Sequence, residues 1–585
     1  MNDKVDLKRR GLLNSGIAGA AALGVMGVSS AAEKSAAIHW DLQTDIICVG
    51  SGAAACSAAV TSVDLGNKVI LLEKAPIFGG TTRRSGGVAW IPNNFSLKAQ
   101  GIADVEADCL RYMARYAYPA RYRSDSPTLG LEQFEFDLLQ AYYRNGAPAV
   151  ARLNEIGAAN LIRFELPGGV GPSPDYAATL AENKVPKGRA VWPDPKVTGG
   201  RGSSLVDTMI AWLEKRGAKV LTEHQVVKLV QQDGRVVGVE AKTGNKTLRI
   251  RARKGVIFGS GGFVHNPELT HRYSDPVYGS CAAASATGDL IGMATAVGAR
   301  MGNLGTAWRT QVLLEEALQN PVVGAAINIP PGDAMILVNK HGRRVVNEKR
   351  NYNDRTRVHF AWDPTKDEYP NQFLFMLFDQ RGIDVYGGSY PFPRDVRESP
   401  YLISGATFAE LAANVQARLD KLRGKIGDVR LAGDFARQID EAVQRFSRDA
   451  AQGRDDEFQR GRDPAETDWL AYFSRPRAGQ EAQVQGMPNR TLHPFTQQGP
   501  YYAMIVAPGA LDTNGGPQIN ARAQILGSDG QPIPGLFGAG NCIASPTRAA
   551  YFGAGGTIGP ALTFGYIAAN TANTANTANG AKAAR

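Results

Sequence analysis

The sequence predicts an α/β fold of two-part construction: a parallel sheet with helices on its faces, assembled from two separated stretches of chain, with an α+β cap domain inserted between them. Three observations predict it. A strand–helix–strand unit with a glycine turn runs from Asp45 to Glu73; apolar runs ending in glycine recur at 254–263 and 535–541; and the stretch from 303 to 493 carries neither signature. At 585 residues the chain exceeds the size at which one hydrophobic core stops growing, so several domains are expected. The predicted divisions are an export signal at 1–37, the first part of the sheet domain at 41–302, the cap at 303–493, the second part at 494–570 and a disordered tail at 571–585.

The N-terminus reads Lys8-Arg9-Arg10-Gly11-Leu12-Leu13, then a weakly hydrophobic run of small residues from Gly16 to Val28, then Ser30-Ala31-Ala32. Paired arginines, a short apolar core and small residues suited to cleavage predict a twin-arginine signal and a periplasmic location. The run is too short and too rich in glycine and alanine to span a membrane. A basic extension on a cytoplasmic protein is the alternative.

Asp45 to Val49 is a short apolar run closed by Gly50, which reads as a buried parallel strand; Ala53 to Leu65 reads as the crossover helix and Val69 to Leu72 as the next strand. Gly50 permits the tight turn, Gly52 lets backbone approach a pyrophosphate, and Ala55 keeps helix and strand close; the helix N-terminus offers free N–H groups to phosphates. Glu73, about 20 residues on, stands where an acid takes ribose hydroxyls. Ala54 and Lys74 flank these positions. This is a Rossmann-like dinucleotide site.

The next loop, Phe78 to Pro92, contains Gly79-Gly80-Thr81-Thr82 and Ser85-Gly86-Gly87. Two glycine pairs with hydroxyls between them can fold around a polyhydroxyl chain and a flat ring, which FAD has and NAD does not need. Residues 106–157 show helical spacing. Three short strands follow, 219–230 (with Val226), 236–242 and 247–251, before the buried strand Lys254 to Phe258 ends at Gly259-Ser260-Gly261-Gly262. An antiparallel excursion that rejoins a parallel sheet is the pattern of glutathione-reductase-like FAD domains. Phe408 to Leu422 and Phe435 to Arg448 read as cap helices. The chain re-enters the FAD domain with a strand at 501–506 and a strand and turn at 535–541, and Thr571 to Asn579 repeats Thr-Ala-Asn.

Composition excludes several functions. The net charge of +10 is spread among interspersed acids, with no dense basic run beyond the N-terminus, so no nucleic-acid partner is expected. Five scattered cysteines, with no Cys-x-x-Cys-His, exclude zinc, iron–sulfur and haem frameworks and a disulfide-built fold. No metal site is expected, so electron chemistry falls to the dinucleotide.

Pro534 to Asn541 (including Gly540 and Asn541), followed by Tyr551-Phe552-Gly553-Ala554-Gly555-Gly556-Thr557-Ile558-Gly559, resembles the flavin-facing end of the fumarate reductase/succinate dehydrogenase flavoprotein superfamily. The glycine pairs at 79–87, Ala286-Thr287-Gly288-Asp289 and Gly342-Arg343-Arg344-Val345-Val346-Asn347-Glu348 match its signatures too. The resemblance runs from about Asp41 to Asn570, thinly through the cap. It implies a two-part FAD domain with a cap closing substrate against the flavin, held non-covalently because no histidine lies between Thr81 and Ser85. Where fumarate reductases carry a proton-donating arginine and a carboxylate-binding arginine, this chain has Tyr352 and Tyr551, and their substrate histidine falls near Thr547. A dicarboxylate would lose its charge-assisted partners. The closest resemblance is to 3-ketosteroid Δ1-dehydrogenases.

That resemblance implies a role for each of four residues. Tyr551 hydroxyl and Gly555 N–H polarise a ketone oxygen, a role worth roughly 2.7–4 kcal/mol per donor. Tyr352 takes the proton from the adjacent carbon, and since a phenol is a poor base near neutrality, a second tyrosine shares it. Tyr176 is the candidate helper, with Tyr116 and Tyr118 as alternatives. Arg309 and Arg548 read as surface or ion-pair residues. Phe552, Ala554 and Ala549-Ala550 depart from the steroid pattern. The expectation is FAD-dependent dehydrogenation of a 3-ketosteroid or similar small hydrophobic cyclic ketone, with hydride passing to flavin N5. The alternatives are an exported reductase of an unsaturated acid and a non-catalytic flavin electron carrier. Neither the electron acceptor nor the oligomeric state is legible.

Overall fold

The computed structural model describes residues 38–574; the predicted export signal at 1–37 and residues 575–585 lie outside them. β1 (Leu42–Val49) is continuously apolar at its end because it is enclosed on both edges and both faces: Ile46, Ile47 and Cys48 are fully buried. α1 (Ala53–Asp64) consists largely of small residues, ten of them buried, and leads to β2 (Val69–Leu72), parallel to β1. α2 (Gly80–Arg84) and β3 (Ala89–Trp90) follow. The helical spacing of 106–157 resolves into helices Glu106–Ala117 and Gln133–Glu155.

β4 (Lys219–Leu221) extends the sheet beyond β2; β5 (Gln225–Gln232), β6 (Arg235–Thr243) and β7 (Lys246–Phe258) form the antiparallel excursion and the return. The strands expected at 247–251 and 254–258 are one. β7 pairs antiparallel with β6 over Lys246–Arg251 and parallel with β1 from Ile250 to Phe258, a register shift between Thr44 and Ile46 absorbing the join. Buried Ile250 and Ala252 alternate with exposed Arg251 and Arg253, so the charges that seem to interrupt the strand lie on its open face.

The second sheet contains β8 (Ala307–Leu313), β9 (Met335–Val338), β10 (Leu374–Asp379), β11 (Ile403–Gly405) and β12 (Tyr501–Thr513), in the order β8-β12-β10-β9 with β11 also on β12. Between its strands, α3 (Tyr352–Thr356) packs on β8, and α4 (Phe408–Ile426) and α5 (Phe435–Ala451) are the two expected cap helices. Both faces are covered. Phe375, Leu377, Ala503 and Ile505 pack with α4 and α5, while Leu374, Met376, Phe378, Met504 and Val506 form a separate core on the opposite side.

β12 corrects the predicted boundary at 493/494. Tyr501–Val506 pairs with β8, β10 and β11 and not with the nucleotide-type sheet, so by its pairing the second sheet runs on to Thr513. The chain then returns through β13 (Gln524–Leu526) and β14 (Pro532–Gly538), which completes the order β13-β14-β7-β1-β2-β4. α6 (Ile558–Thr574) closes the fold against α1, with Gly565 so near that a Cβ would lie 2.4 Å from Ala54 O. The expected tail is shortened at its start. Thr571–Thr574 continue α6, Ala572 is fully buried, and Asn573 Oδ1 accepts from Asn67 Nδ2 and Lys254 Nζ. Burial and these bonds outweigh the low-complexity pattern there. From Trp40 on, the described chain is one compact body, and none of its helices is long and apolar enough to cross a membrane.

Candidate active site

The parallel strands of the first sheet end at a cleft, with Val49, Leu72 and Phe258 at their tips lining it. Gly50, Gly52, Ala54, Glu73 and Lys74 line it at the β1–α1–β2 end. Gly80, Thr81, Thr82 and Ser85 line it from α2 and its cap, with Val226 of β5 and Gly261 after β7. Gly540, Asn541, Thr557 and Ile558 line it from the late part of the chain. Four residues of the expected set do not line it. Ala55 faces the end of β7, where a Cβ on Gly259 would lie 2.5 Å from Ala55 N. Gly87, at φ +74°, lies against the Arg201–Gly202 backbone, and Gly86 has only Val88 near its Cβ position. Gly556 faces the Tyr551 ring.

The cleft fits FAD on three counts. Gly50 holds φ +98°, and a Cβ there would lie 2.6 Å from Gly259 O, so the turn is open only to glycine. Gly52 caps α1 with no side chain of its own, so a phosphate can approach the helix N-terminus beside Thr82 Oγ1, which accepts the Ala53 N–H at 3.0 Å. Glu73 is aimed by Ser51 Oγ, which donates to Oε2 at 2.5 Å, and by Ala75 N–H, which donates to Oε1 at 2.8 Å. Lys74 binds Asp289 at 2.9 Å beside it. Sequence reasoning did not pick out Ser51, Ser260, Ser285, Met293 or Asp512 of the lining. Asp289 lay within a quoted signature without being assigned.

Beyond the cleft, Tyr176, Tyr352 and Tyr551 come together, all at least nine-tenths buried. Their ring centroids are 5.3–5.5 Å apart, and Tyr176 hydroxyl donates to Tyr352 hydroxyl at 3.3 Å. Trp308 stands edge-on to Tyr551 at 5.5 Å, and Phe164, Ile329, Trp469 and Leu470 pack about the group. The alternatives to Tyr176 lie elsewhere: Tyr116 hydroxyl donates to Asp354, and Tyr118 lies under Arg121 and Arg548. Arg548 is exposed, Arg309 pairs with Asp275 over the Phe360 ring, and Thr547 Oγ1 donates to Ala550 O.

Two structures fix the group. The first is a buried ionic set: Arg189 binds Asp104 at 2.8 Å and Asp175 at 2.5 Å, and Asp175 also accepts the Trp90 indole N–H at 2.7 Å. Asp175 bridges to Gly553, Tyr176 N–H donates to Phe552 O at 2.8 Å and Trp90 N–H donates to Gly555 O, so the Tyr551–Gly555 loop is clamped beside Tyr176. Gly555 is at φ +87° with a Cβ position 2.4 Å from Val88 O, which excludes any side chain. The second is α3, which carries Tyr352. Its Arg355, wholly buried, donates to Gln311 Oε1 and to the carbonyls of Ile327 and Arg350.

Burial raises all three phenols above the ordinary tyrosine value, Tyr352 and Tyr176 strongly; Tyr551 is partly relieved by hydrogen bonds to Tyr352 and Thr557. Tyr551 therefore stays protonated and able to donate. Tyr352 can accept a proton only in concert with Tyr176. Among the described residues, the leading influences on the three hydroxyls are burial, one another and Thr557, none of them a cation.

The profile of a family described as the FAD binding domain matches residues 45–558. The 4-oxocyclohexanecarboxylate 2-dehydrogenase of Sinomonas cyclohexanicum is 30% identical over 90% of this chain and 92% of its own length. The 3-oxosteroid 1-dehydrogenase of Mycolicibacterium smegmatis is also 30% identical, over 90% of this chain and 96% of its own. The crystal structure of the 3-ketosteroid delta1-dehydrogenase of Sterolibacterium denitrificans shares the fold: TM-score 0.74 at 24% identity, covering 91% of this chain and 99% of that one.

Proposed function

The chain belongs to the FAD binding domain family and is an FAD-dependent oxidoreductase, and from that premise we propose that it dehydrogenates a 3-ketosteroid or similar hydrophobic cyclic ketone next to the carbonyl. The observation that carries this reading is the buried tyrosine trio beside the cofactor cleft. Bound FAD supplies the hydride acceptor. Tyr551 hydroxyl and Gly555 N–H polarise the ketone oxygen, and each such donor contributes through charge that develops as the enolate forms. Tyr352 removes the proton from the neighbouring carbon, and Tyr176, 3.3 Å away, shares it. Aromatic and aliphatic walls exclude water. Because the leading influences on the three hydroxyls among the described residues are burial and neutral hydroxyls, a carboxylate entering beside them would lose its hydration with no cation at those hydroxyls to replace it. This favours a neutral ketone over a carboxylated one such as the Sinomonas relative is named for.

Dye-linked turnover of a neutral 3-ketosteroid against 4-oxocyclohexanecarboxylate tests the substrate class. The steroid should be favoured by at least roughly 100-fold in kcat/KM, the scale set by one uncompensated buried charge. Equal rates, or preference for the carboxylate, would refute it.

The raised Tyr352 value sets the pH dependence. The basic form grows as pH rises toward a pKa above 10, so log kcat/KM should climb through pH 7–10. Tyr352→Phe should lose the slope and roughly 10²–10⁴-fold in rate. A flat profile in the parent enzyme would rule out Tyr352 as the base.

The Lys8-Arg9-Arg10 segment supports export of the folded, FAD-loaded protein. Replacing Arg9 and Arg10 by lysine should shift the protein from the periplasmic to the cytoplasmic fraction; an unchanged distribution would show that the segment is not used.

A further inference from the structure

The end of β12 carries Asp512, fully buried, into the cofactor cleft. Its Oδ2 accepts the Gly262 N–H at 3.0 Å and an Asn541 Nδ2 hydrogen at 3.2 Å, while Oδ1 accepts the Thr513 N–H at 2.9 Å. Position 262 must be glycine for this: a Cβ there would lie 2.4 Å from Asp512 Oδ1. Asn541 Oδ1 in turn accepts the Trp308 indole N–H at 2.9 Å, and Trp308 stands edge-on to Tyr551. One amide therefore joins a carboxylate of the cofactor cleft to the ring packed on Tyr551.

A buried carboxylate is costly unless charged or dipolar partners compensate it. The groups bonded to or paired with Asp512 are neutral: the Gly262, Val264 and Thr513 backbones, the Asn541 amide and, across the β8 pairing, Trp308. The ionisable members of the lining, Glu73, Lys74, His224 and Asp289, gather round the end of β2, and the leading influences on Asp512 are its burial and its neutral hydrogen-bond donors. Burial raises its acid to about 6, so it is ionised at neutral pH. A charge kept without a cation, in a cleft shaped for a cofactor rich in hydroxyl and N–H donors, has a partner in that cofactor.

We propose that Asp512 contacts bound FAD as a hydrogen-bond acceptor, lowers the flavin's reduction potential by its charge, and holds Asn541 and Trp308 in line with Tyr551. A fixed negative charge in a low-dielectric site disfavours the more electron-rich reduced cofactor. The flavin potential depends on FAD binding and not on the ketone reading, so the two stand or fall separately.

The test is the midpoint potential of the FAD-loaded protein, measured by dye equilibration without substrate at pH 8 and pH 5. At pH 8, Asp512→Asn should shift the potential positive, and Asp512→Glu should stay near the parent value. At pH 5, below the carboxyl's pKa, the gap between the parent and Asp512→Asn should close. If Asp512→Asn does not retain FAD, the smaller neutral variant Asp512→Ser must show the same positive shift at pH 8. Equal potentials at pH 8, or a gap that persists unchanged at pH 5, would overturn the proposal.

Discussion

Replacing Tyr551 by phenylalanine should lower kcat by roughly 10²–10³-fold while the protein remains fully loaded with FAD. The ring is held by contacts that the change preserves: Tyr176 stacked at 5.5 Å, Trp308 edge-on at 5.5 Å and Tyr352 at 5.3 Å. Only the hydroxyl is lost, and with it one of two donors to the developing enolate. Tyr551 does not line the FAD cleft, so the yellow absorbance per chain should be unchanged. Because the lost interaction forms in the transition state, kcat and kcat/KM should fall together. Dye-linked steady-state kinetics on spectroscopically matched holoproteins decide it; activity within about threefold of the parent would remove Tyr551 from the role of carbonyl donor.

Glu348→Ala should cost about 3–5 kcal/mol of stability. Glu348 is fully buried, binds Arg344 at 2.9 Å through both carboxylate oxygens, and meets Arg460 at 3.3 Å. Arg344 retains Asp455 in the variant, but Arg460, also fully buried, loses its carboxylate. Burial alone would raise the Glu348 acid, yet the two guanidiniums hold it below its ordinary 4.5. Its contribution is therefore present above pH 4.5 and is lost as pH falls through the depressed value. Denaturant midpoints at pH 7 should separate parent and variant, and the gap should narrow in acid. An unfolding free energy within about 1 kcal/mol of the parent at pH 7 would show that the network does not hold the second sheet together. The pairing also gives a physical reason for the Gly342–Glu348 signature: Arg344 and Glu348 are one helical turn apart in spacing and bind each other inside the core.

The βαβ unit was legible because its determinants are local. A strand enclosed on all sides leaves an unbroken apolar run, and the glycine turn allows only one residue type. The tyrosines at 352 and 551 were legible by resemblance, and Tyr176 stood out from the alternatives once Tyr116 was seen bound to Asp354. The identity of the sheet to which Tyr501–Val506 belongs was not legible, since a buried strand reads the same in either. Asp512 gave no signal at all. Its partners lie 250 residues earlier at Gly262 and 29 residues later at Asn541, and no local spacing encodes that meeting. The start of the tail misled for the opposite reason: a Thr-Ala-Asn repeat looks disordered until Ala572 is seen buried in the core and Asn573 bonded to Asn67 and Lys254.

The most direct test of the central claim is anaerobic mixing of the FAD-loaded protein with a stoichiometric 3-ketosteroid, followed at the oxidised flavin band. The account predicts bleaching at a rate that Tyr551→Phe slows by roughly 10²–10³-fold, with full recovery of colour when a dye acceptor is added. A flavin that stays oxidised under the steroid, and once chemically reduced is reoxidised by fumarate or urocanate, would contradict it.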